Sequence, residues 1–176
     1  MVPEAALRQT EAGLVPEGEG WFVVSLRDAE WWRSEDRGHY THVDGEPAFP
    51  EIGVRIHVLE PGRPNGLYHG ESGQEGFLVL SGQCILVVEG EERRLGPWDF
   101  VHCPPWTEHI FVGAGDGPCV VVMVGARHRD FDIRYPVSDA AARRGASVDK
   151  ETRDVEEAYA RFPFWQRTPY VEGWLP

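Results

Sequence analysis

The sequence predicts an all-β fold, either a sandwich or a barrel of short antiparallel strands. Residues 51–126 carry a succession of short runs that are rich in Val, Ile, Phe and Leu. Each run is stopped by Gly, Pro or Asp-Gly, which is the pattern of strands separated by turns. The links between runs are too short for crossover helices, so neighbouring strands should pair antiparallel. Many short strands in succession are typical of a sandwich or barrel.

Within this central segment the apolar runs predict the strands one by one. They fall at residues 53–61, 75–82, 83–90, 92–96, 98–104, 108–113 and 118–125. The segment 51–126 is therefore predicted to form the core of the domain.

Residues 1–50 are predicted to form an N-terminal arm that packs on this core. Their first part has little periodicity, and the run 21–28 predicts a strand. Asp28 is then placed to cap a short helical turn. Residues 33–50, rich in charge, Gly and Pro, predict a loop.

Residues 127–176 are predicted to form a C-terminal extension with two short helices and an aromatic-rich end. Ser138 and Gly145 mark the start and stop of the first helix. Asp154, with Glu157 three residues later, has the spacing of a capping box for the second. The aromatic end must bury its rings on its own domain or on a second subunit. Burial on a second subunit would fit a homodimer, which is the assembly that we expect.

Composition restricts the partners and the compartment. The formal net charge of −12 argues against nucleic acid and against an anionic membrane surface. The chain has no long apolar run and no basic start followed by an apolar stretch, so we expect a cytoplasmic protein. Cys84, Cys103 and Cys119 lie in apolar runs and are expected to be buried thiols.

The candidate site consists of two histidines and two glutamates. His69 and Glu71 are two residues apart, so on extended chain both side chains point the same way. Glu75 begins a predicted strand, and an ionised carboxylate facing the interior is costly without a partner or a cation. His109 follows a Pro-rich turn and begins another strand. This set suits a divalent ion such as zinc, iron, manganese or nickel.

The spacing of these residues resembles the first motif of the cupin superfamily. That motif is His, one residue, His, three or four residues, Glu, six residues and Gly. This chain has His69, Glu71, Glu75 and Gly82 at those intervals, with Glu71 in place of the second His. The resemblance implies a double-stranded β-helix, or jelly-roll barrel, that holds a metal and a small organic ligand.

The second cupin motif is matched with two departures. Pro104, Trp106, His109 and Gly113 stand where the family has Pro, Gly, His and Asn, and Asp99 matches an Asp that commonly precedes the turn. Trp106 in place of Gly is expected to narrow the cavity mouth.

The resemblance implies a metal-dependent enzyme, such as a dioxygenase, an isomerase or a lyase, that acts on a small organic molecule. The metal ligands would be His69, Glu71, Glu75 and His109. Glu71 is open to two interpretations, a fourth ligand or a general base beside the metal. A non-catalytic sensor or store of a small ligand and a barrel with a structural metal remain as alternatives. His57 is interpreted as structural or cavity-lining.

Overall fold

The computed structural model describes residues 1–176, and its regular secondary structure consists almost entirely of strands. Every pair of neighbouring strands runs antiparallel, which confirms the predicted all-β class. The strands are β1 (Ala6–Thr10), β2 (Gly13–Glu17), β3 (Trp31–Ser34), β4 (Gly38–His42), β5 (Ile52–Leu59), β6 (Gly70–Glu71), β7 (Glu75–Ser81), β8 (Gln83–Val88), β9 (Glu91–Leu95), β10 (Phe100–Cys103), β11 (His109–Ala114), β12 (Cys119–Ala126), β13 (Ile133–Arg134) and β14 (Gln166–Thr168). The two helices are α1 (Asp139–Ala142) and α2 (Val155–Tyr159).

The main strands form two sheets that enclose the core between them. The larger has the order β10-β7-β12-β5-β4-β3-β14, and the smaller has the order β11-β8-β9. Buried side chains from both sheets pack together in the layer between them, among them Leu59, Phe77, Leu86, Phe111 and Val121. This is the jelly-roll arrangement that the sequence predicted.

The chain crosses from the larger sheet to the smaller at Gly82, between β7 and β8. Gly82 has a φ of +74°, and a Cβ on it would lie 2.3 Å from the carbonyl oxygen of Pro118. Only glycine tolerates both the left-handed backbone and this close approach. The glycine that ends the first motif is therefore required by the turn.

The structure corrects the secondary structure predicted for the N-terminal segment. Residues 21–28 form no strand, and the predicted helical turn after Asp28 is replaced by β3. The predicted loop 33–50 contains β4, which lies between β3 and β5 in the larger sheet. Long-range contacts override the local signals here, because Trp31 of β3 is fully buried against the end of the chain.

Polar residues of β4 are accommodated because each finds a partner. The Thr41 hydroxyl donates to the carbonyl of Glu30 at 2.7 Å, and His39 Nε2 lies 3.2 Å from Glu60 Oε1. A strand that contains His39, Thr41 and His42 lacks the apolar alternation of a typical strand. For this reason the sequence pattern did not indicate it. The first residues, expected to be a loose arm, form the hairpin of β1 and β2.

Both C-terminal helices begin at the predicted residues. The Ser138 side chain accepts a hydrogen bond from the backbone N–H of Ala141, and Asp154 accepts from the N–H groups of Glu156 and Glu157. Neither helix has the length or the apolar character needed to span a bilayer. The division at residues 50 and 126 stays a prediction, and the larger sheet takes strands from all three segments.

The aromatic end of the chain packs on the outer face of the larger sheet. Trp174 is buried against Trp31, with ring centroids 5.3 Å apart, and stacks on His39 at 3.9 Å. Ile56 and Val58 of β5 belong to the same cluster. The end of the chain therefore closes over its own domain.

Candidate metal centre

Two histidines are brought together by a backbone pairing. His69 precedes β6 and His109 begins β11, and the two residues exchange both backbone hydrogen bonds, at 3.2 and 2.8 Å. Residues paired in this way project their side chains to the same side. The two imidazole centroids are 5.0 Å apart.

Glu75 joins them from the first position of β7. Its side chain lies on the same face of the strand as Phe77 and Val79, which are buried in the core. Glu75 Oε2 lies 3.4 Å from His109 Nε2. One donor atom from each of His69, Glu75 and His109 lies within 4.8 Å of the others. The structure thus assembles three of the four predicted ligands into one group.

Each histidine is fixed in the tautomer that a metal requires. His69 Nδ1 is 2.7 Å from the carbonyl oxygen of Leu67, and His109 Nδ1 is 2.9 Å from that of Thr107. A carbonyl can only accept, so each Nδ1 carries the proton and each Nε2 presents its lone pair. Burial, and next the neighbouring His109, lower the pKa of His69 to about 3, and burial lowers the pKa of His109. Both rings are therefore neutral.

The two carboxylates of the site are destabilised in their ionised forms. Burial, followed by repulsion from Glu71, raises the pKa of Glu75 to about 8, and burial raises the pKa of Glu71. A divalent ion would remove this penalty by pairing with the ionised forms. Two neutral imidazole nitrogens and nearby carboxylate oxygens are a donor set that zinc, iron, manganese and nickel accept. The residues present therefore fit a divalent metal.

Glu71 lies beside the three-residue group without belonging to it. A Cβ on Gly125 would lie 3.7 Å from Glu71 Oε1 and 4.0 Å from Glu75 Oε1, so the two carboxylates flank this glycine. The Glu71 side chain makes no hydrogen bond to the protein, and its backbone oxygen accepts from the N–H of Trp106 at 2.7 Å. Its roles as fourth ligand and as base both stay predictions.

The candidate centre opens into a cavity of about 390 Å³ between the sheets. Apart from the four candidate ligands, the polar side chains that line it come from Arg55, His57, Asn65, Arg127 and Tyr159. The apolar lining includes Phe77, Met123 and Phe131. A space of this size suits a small organic ligand.

Sequence reasoning missed Arg55 and Tyr159 and left His57 undecided. Arg55 and His57 alternate with Val54 and Ile56 on β5, and this period of two was the available signal that one face of the strand is polar. Tyr159 comes from α2, and no local pattern links it to the barrel. A Cβ on Gly66 would lie 2.8 Å from Tyr159 Oη, so the glycine makes room for the phenol.

Trp106 does not narrow the cavity mouth as expected. It is absent from the cavity lining, and its indole lies beneath the Arg153 guanidinium, 5.5 Å from the ring centroid. Its φ is +69°, the left-handed conformation that glycine adopts without strain. Trp106 thus keeps the backbone conformation that the glycine of the motif would have, and its side chain points to the surface.

The metal-free protein should lose stability as pH rises through the slightly acidic and neutral range, because of Glu75. Its folded-state pKa of about 8 lies above the ordinary 4.5. Between these values the folded state holds a proton that the unfolded state lacks, so a rise in pH favours unfolding. In urea titrations with chelator present, the free energy of unfolding of the wild type should fall by at least about 1 kcal/mol between about pH 6 and pH 8. Glu75→Gln should remove this fall.

The matched control for this prediction is Glu151→Gln, at an exposed carboxylate that makes no ion pair. This variant should follow the wild-type pH profile. Parallel profiles for Glu75→Gln and the wild type would contradict the prediction.

Comparisons with known proteins support the fold. Residues 55–125 match the family model of the cupin domain. The structure is similar to a sugar phosphate isomerase of the cupin superfamily from Silicibacter pomeroyi, with 20% identity, a TM-score of 0.52, and coverage of 84% of this chain and 83% of that one. It is also similar to the polyketide cyclase RemF from Streptomyces resistomycificus, with 18% identity, a TM-score of 0.53, and coverage of 61% and 80%. No curated protein matches the sequence.

Proposed function

We propose that this chain, whose residues 55–125 match the cupin domain, is a metal-dependent cupin enzyme acting on a small organic molecule. The proposal rests on two features that occur together, a group of metal-donor side chains and a cavity beside it. A group of three metal-donor side chains, His69, Glu75 and His109, lies in the wall of a cavity large enough for a small ligand. A metal placed there is within reach of whatever the cavity holds.

The chain's own residues would hold the metal and prepare the site. His69, Glu75 and His109 are the ligands, and the carbonyls of Leu67 and Thr107 orient the two imidazoles. A bound divalent ion, whether zinc, iron, manganese or nickel, supplies Lewis-acid polarisation of a carbonyl or carboxylate group. Phe77 packs beside His109, with centroids 5.1 Å apart, and limits access of water to that side.

The position of Glu71 in the cavity favours proton transfer as the type of reaction. Its carboxylate faces the cavity without a hydrogen-bond partner, and burial raises its pKa above the ordinary 4.5. A general base works best when its pKa lies near the working pH. Isomerase and lyase reactions need such a group, whereas dioxygenation does not depend on one. The two similar structures carry different activities, an isomerase and a cyclase, so the choice rests on Glu71.

The test is Glu71→Gln in the metal-loaded protein. The substitution keeps the shape of the side chain but removes the base, so metal content should stay at the wild-type level. Incorporation of solvent deuterium into a panel of small hydroxy and keto acids, followed by NMR, should fall at least about 100-fold. Glu151→Gln, at an exposed position, should behave as the wild type in both measurements.

Other outcomes would exclude parts of this proposal. Loss of the metal in Glu71→Gln would make Glu71 a ligand instead of a base. If the metal-loaded wild type exchanges no proton of any panel compound, the proton-transfer chemistry is wrong. If small anions such as azide cannot reach the bound metal, the metal is structural and not catalytic.

The predicted homodimer and the cytoplasmic location stay predictions. The aromatic end of the chain was the reason to expect assembly. Trp174 of this end is buried within its own chain, whereas Phe164 is exposed and available for a contact between subunits. Light scattering would measure the subunit number directly.

A further inference from the structure

We propose that Arg55 forms an anion-binding subsite in the cavity and that the natural ligand carries a carboxylate. This inference rests on the proposed function and names its substrate class. Arg55 lies on β5 on the same face as Gly53 and His57, and all three line the cavity that contains the candidate metal ligands. A guanidinium there can reach the same small molecule as the metal.

The cavity contains two arginines, and only one of them has an ionic partner. Arg127 pairs with the buried Asp44 at 2.7 Å and also donates to the carbonyl of Phe49. Arg55 is exposed to solvent where it lines the cavity, and it makes no ion pair and no side-chain hydrogen bond within the chain. Its guanidinium carbon lies 5.5 Å from the ring centroid of Tyr40, which supports the group from one side. Its donors are therefore free for a ligand.

The charge balance of the cavity favours an anion once the metal is bound. The lining carboxylates are Glu71 and Glu75, and a divalent ion cancels their two negative charges. Arg127 is neutralised by Asp44, so Arg55 leaves one uncompensated positive charge. A carboxylate supplies a single negative charge in a planar shape that a guanidinium binds through two parallel hydrogen bonds. A phosphate dianion would exceed the charge that one arginine balances.

His57 is a buried polar group on the same wall that lacks a hydrogen-bond partner. Its side chain is buried and lines the cavity, and its Nδ1 has no hydrogen-bond partner. Such groups are rare in proteins because leaving one unpaired costs free energy. Burial, and next the charge of Arg55, lower the pKa of His57 to about 3, so the ring is neutral. A hydroxyl or carbonyl group close to the carboxylate would be a suitable partner.

The test compares anion binding by the metal-loaded wild type, Arg55→Gln, Arg55→Lys and Arg94→Gln. Arg94 is the matched control, because it is exposed on β9 outside the cavity. Calorimetric titrations would use the monoanions acetate and propionate and inorganic phosphate, with uncharged acetamide as the neutral analogue. Metal content would be measured in every sample.

We expect at least one of the two carboxylates to bind the wild type more tightly than acetamide and phosphate. Its affinity should fall about 10- to 100-fold in Arg55→Gln, recover in part in Arg55→Lys and stay unchanged in Arg94→Gln. Removing the metal should weaken binding in the wild type, because the site then loses the two positive charges of the ion.

Two results would overturn the subsite while leaving the metal site intact. One is full metal content with equal carboxylate affinity in the wild type and Arg55→Gln. The other is full metal content with no carboxylate binding at all. If phosphate binds more tightly than the carboxylates, the natural ligand is a phosphate ester and not a carboxylate. A wild-type protein that takes up no metal would instead overturn the proposed function on which the inference rests.

Discussion

Replacing His109 with alanine should lower the affinity of the protein for a divalent metal more than about 100-fold. Loss of a group that merely orients a ligand already costs 10- to 100-fold, and loss of the ligand itself should exceed this. His109 is 2% exposed, so water cannot easily take the place of its imidazole. His69→Ala should have a similar effect. Dialysis against a metal buffer, followed by elemental analysis, measures both.

The control for these variants is His102→Ala. His102 is an exposed histidine on β10, which pairs with the strand that carries Glu75. It tests whether removal of any nearby imidazole reduces metal uptake, and metal content should stay at the wild-type level. If His69→Ala and His109→Ala both retain the metal as His102→Ala does, the assigned ligands are wrong.

Replacing Trp174 with alanine should lower the free energy of unfolding by about 3 to 4 kcal/mol. The indole is 8% exposed and packs between Trp31 and His39, so its loss leaves a cavity between the end of the chain and the larger sheet. Urea titration followed by far-UV circular dichroism measures the change.

Phe164→Ala is the matched control, because this aromatic residue of the same segment is 96% exposed. It should change stability by no more than about 0.5 kcal/mol. Equal effects of the two substitutions would contradict the packing described. The burial of Trp174 also means that removing residues 160–176 would lower stability, so such a truncation cannot serve as a clean test of assembly.

The central strands were predictable because their sequence carries the signal locally. Runs such as 83–90 combine β-branched and aliphatic residues with terminal glycines, and each one forms a strand. β3 and β4 were missed because their burial comes from distant parts of the chain. Trp31 is buried by Trp174, which lies at the far end of the sequence, and no window of local sequence contains that contact.

The candidate ligands were predictable for a different reason. The spacing of His69, Glu71 and Glu75 reflects the geometry of extended chain leading into a strand, and the turn before His109 is short. Arg55 was not predicted, because an arginine in a strand is usually a solvent-facing residue; Arg55 is exposed as well, but it also lines the cavity. Its place in the cavity follows from the sheet order, in which β5 pairs with β12 next to the strand that carries Glu75.

X-ray absorption at the edge of the metal in the reconstituted protein tests the metal site most directly. We predict a first coordination sphere with two imidazole nitrogens and otherwise only oxygen donors, from His69, His109 and Glu75 with Glu71 or solvent. The three cysteines are buried and should contribute no sulfur. A spectrum without imidazole scattering, or one with a metal–sulfur distance of about 2.3 Å, would contradict the site.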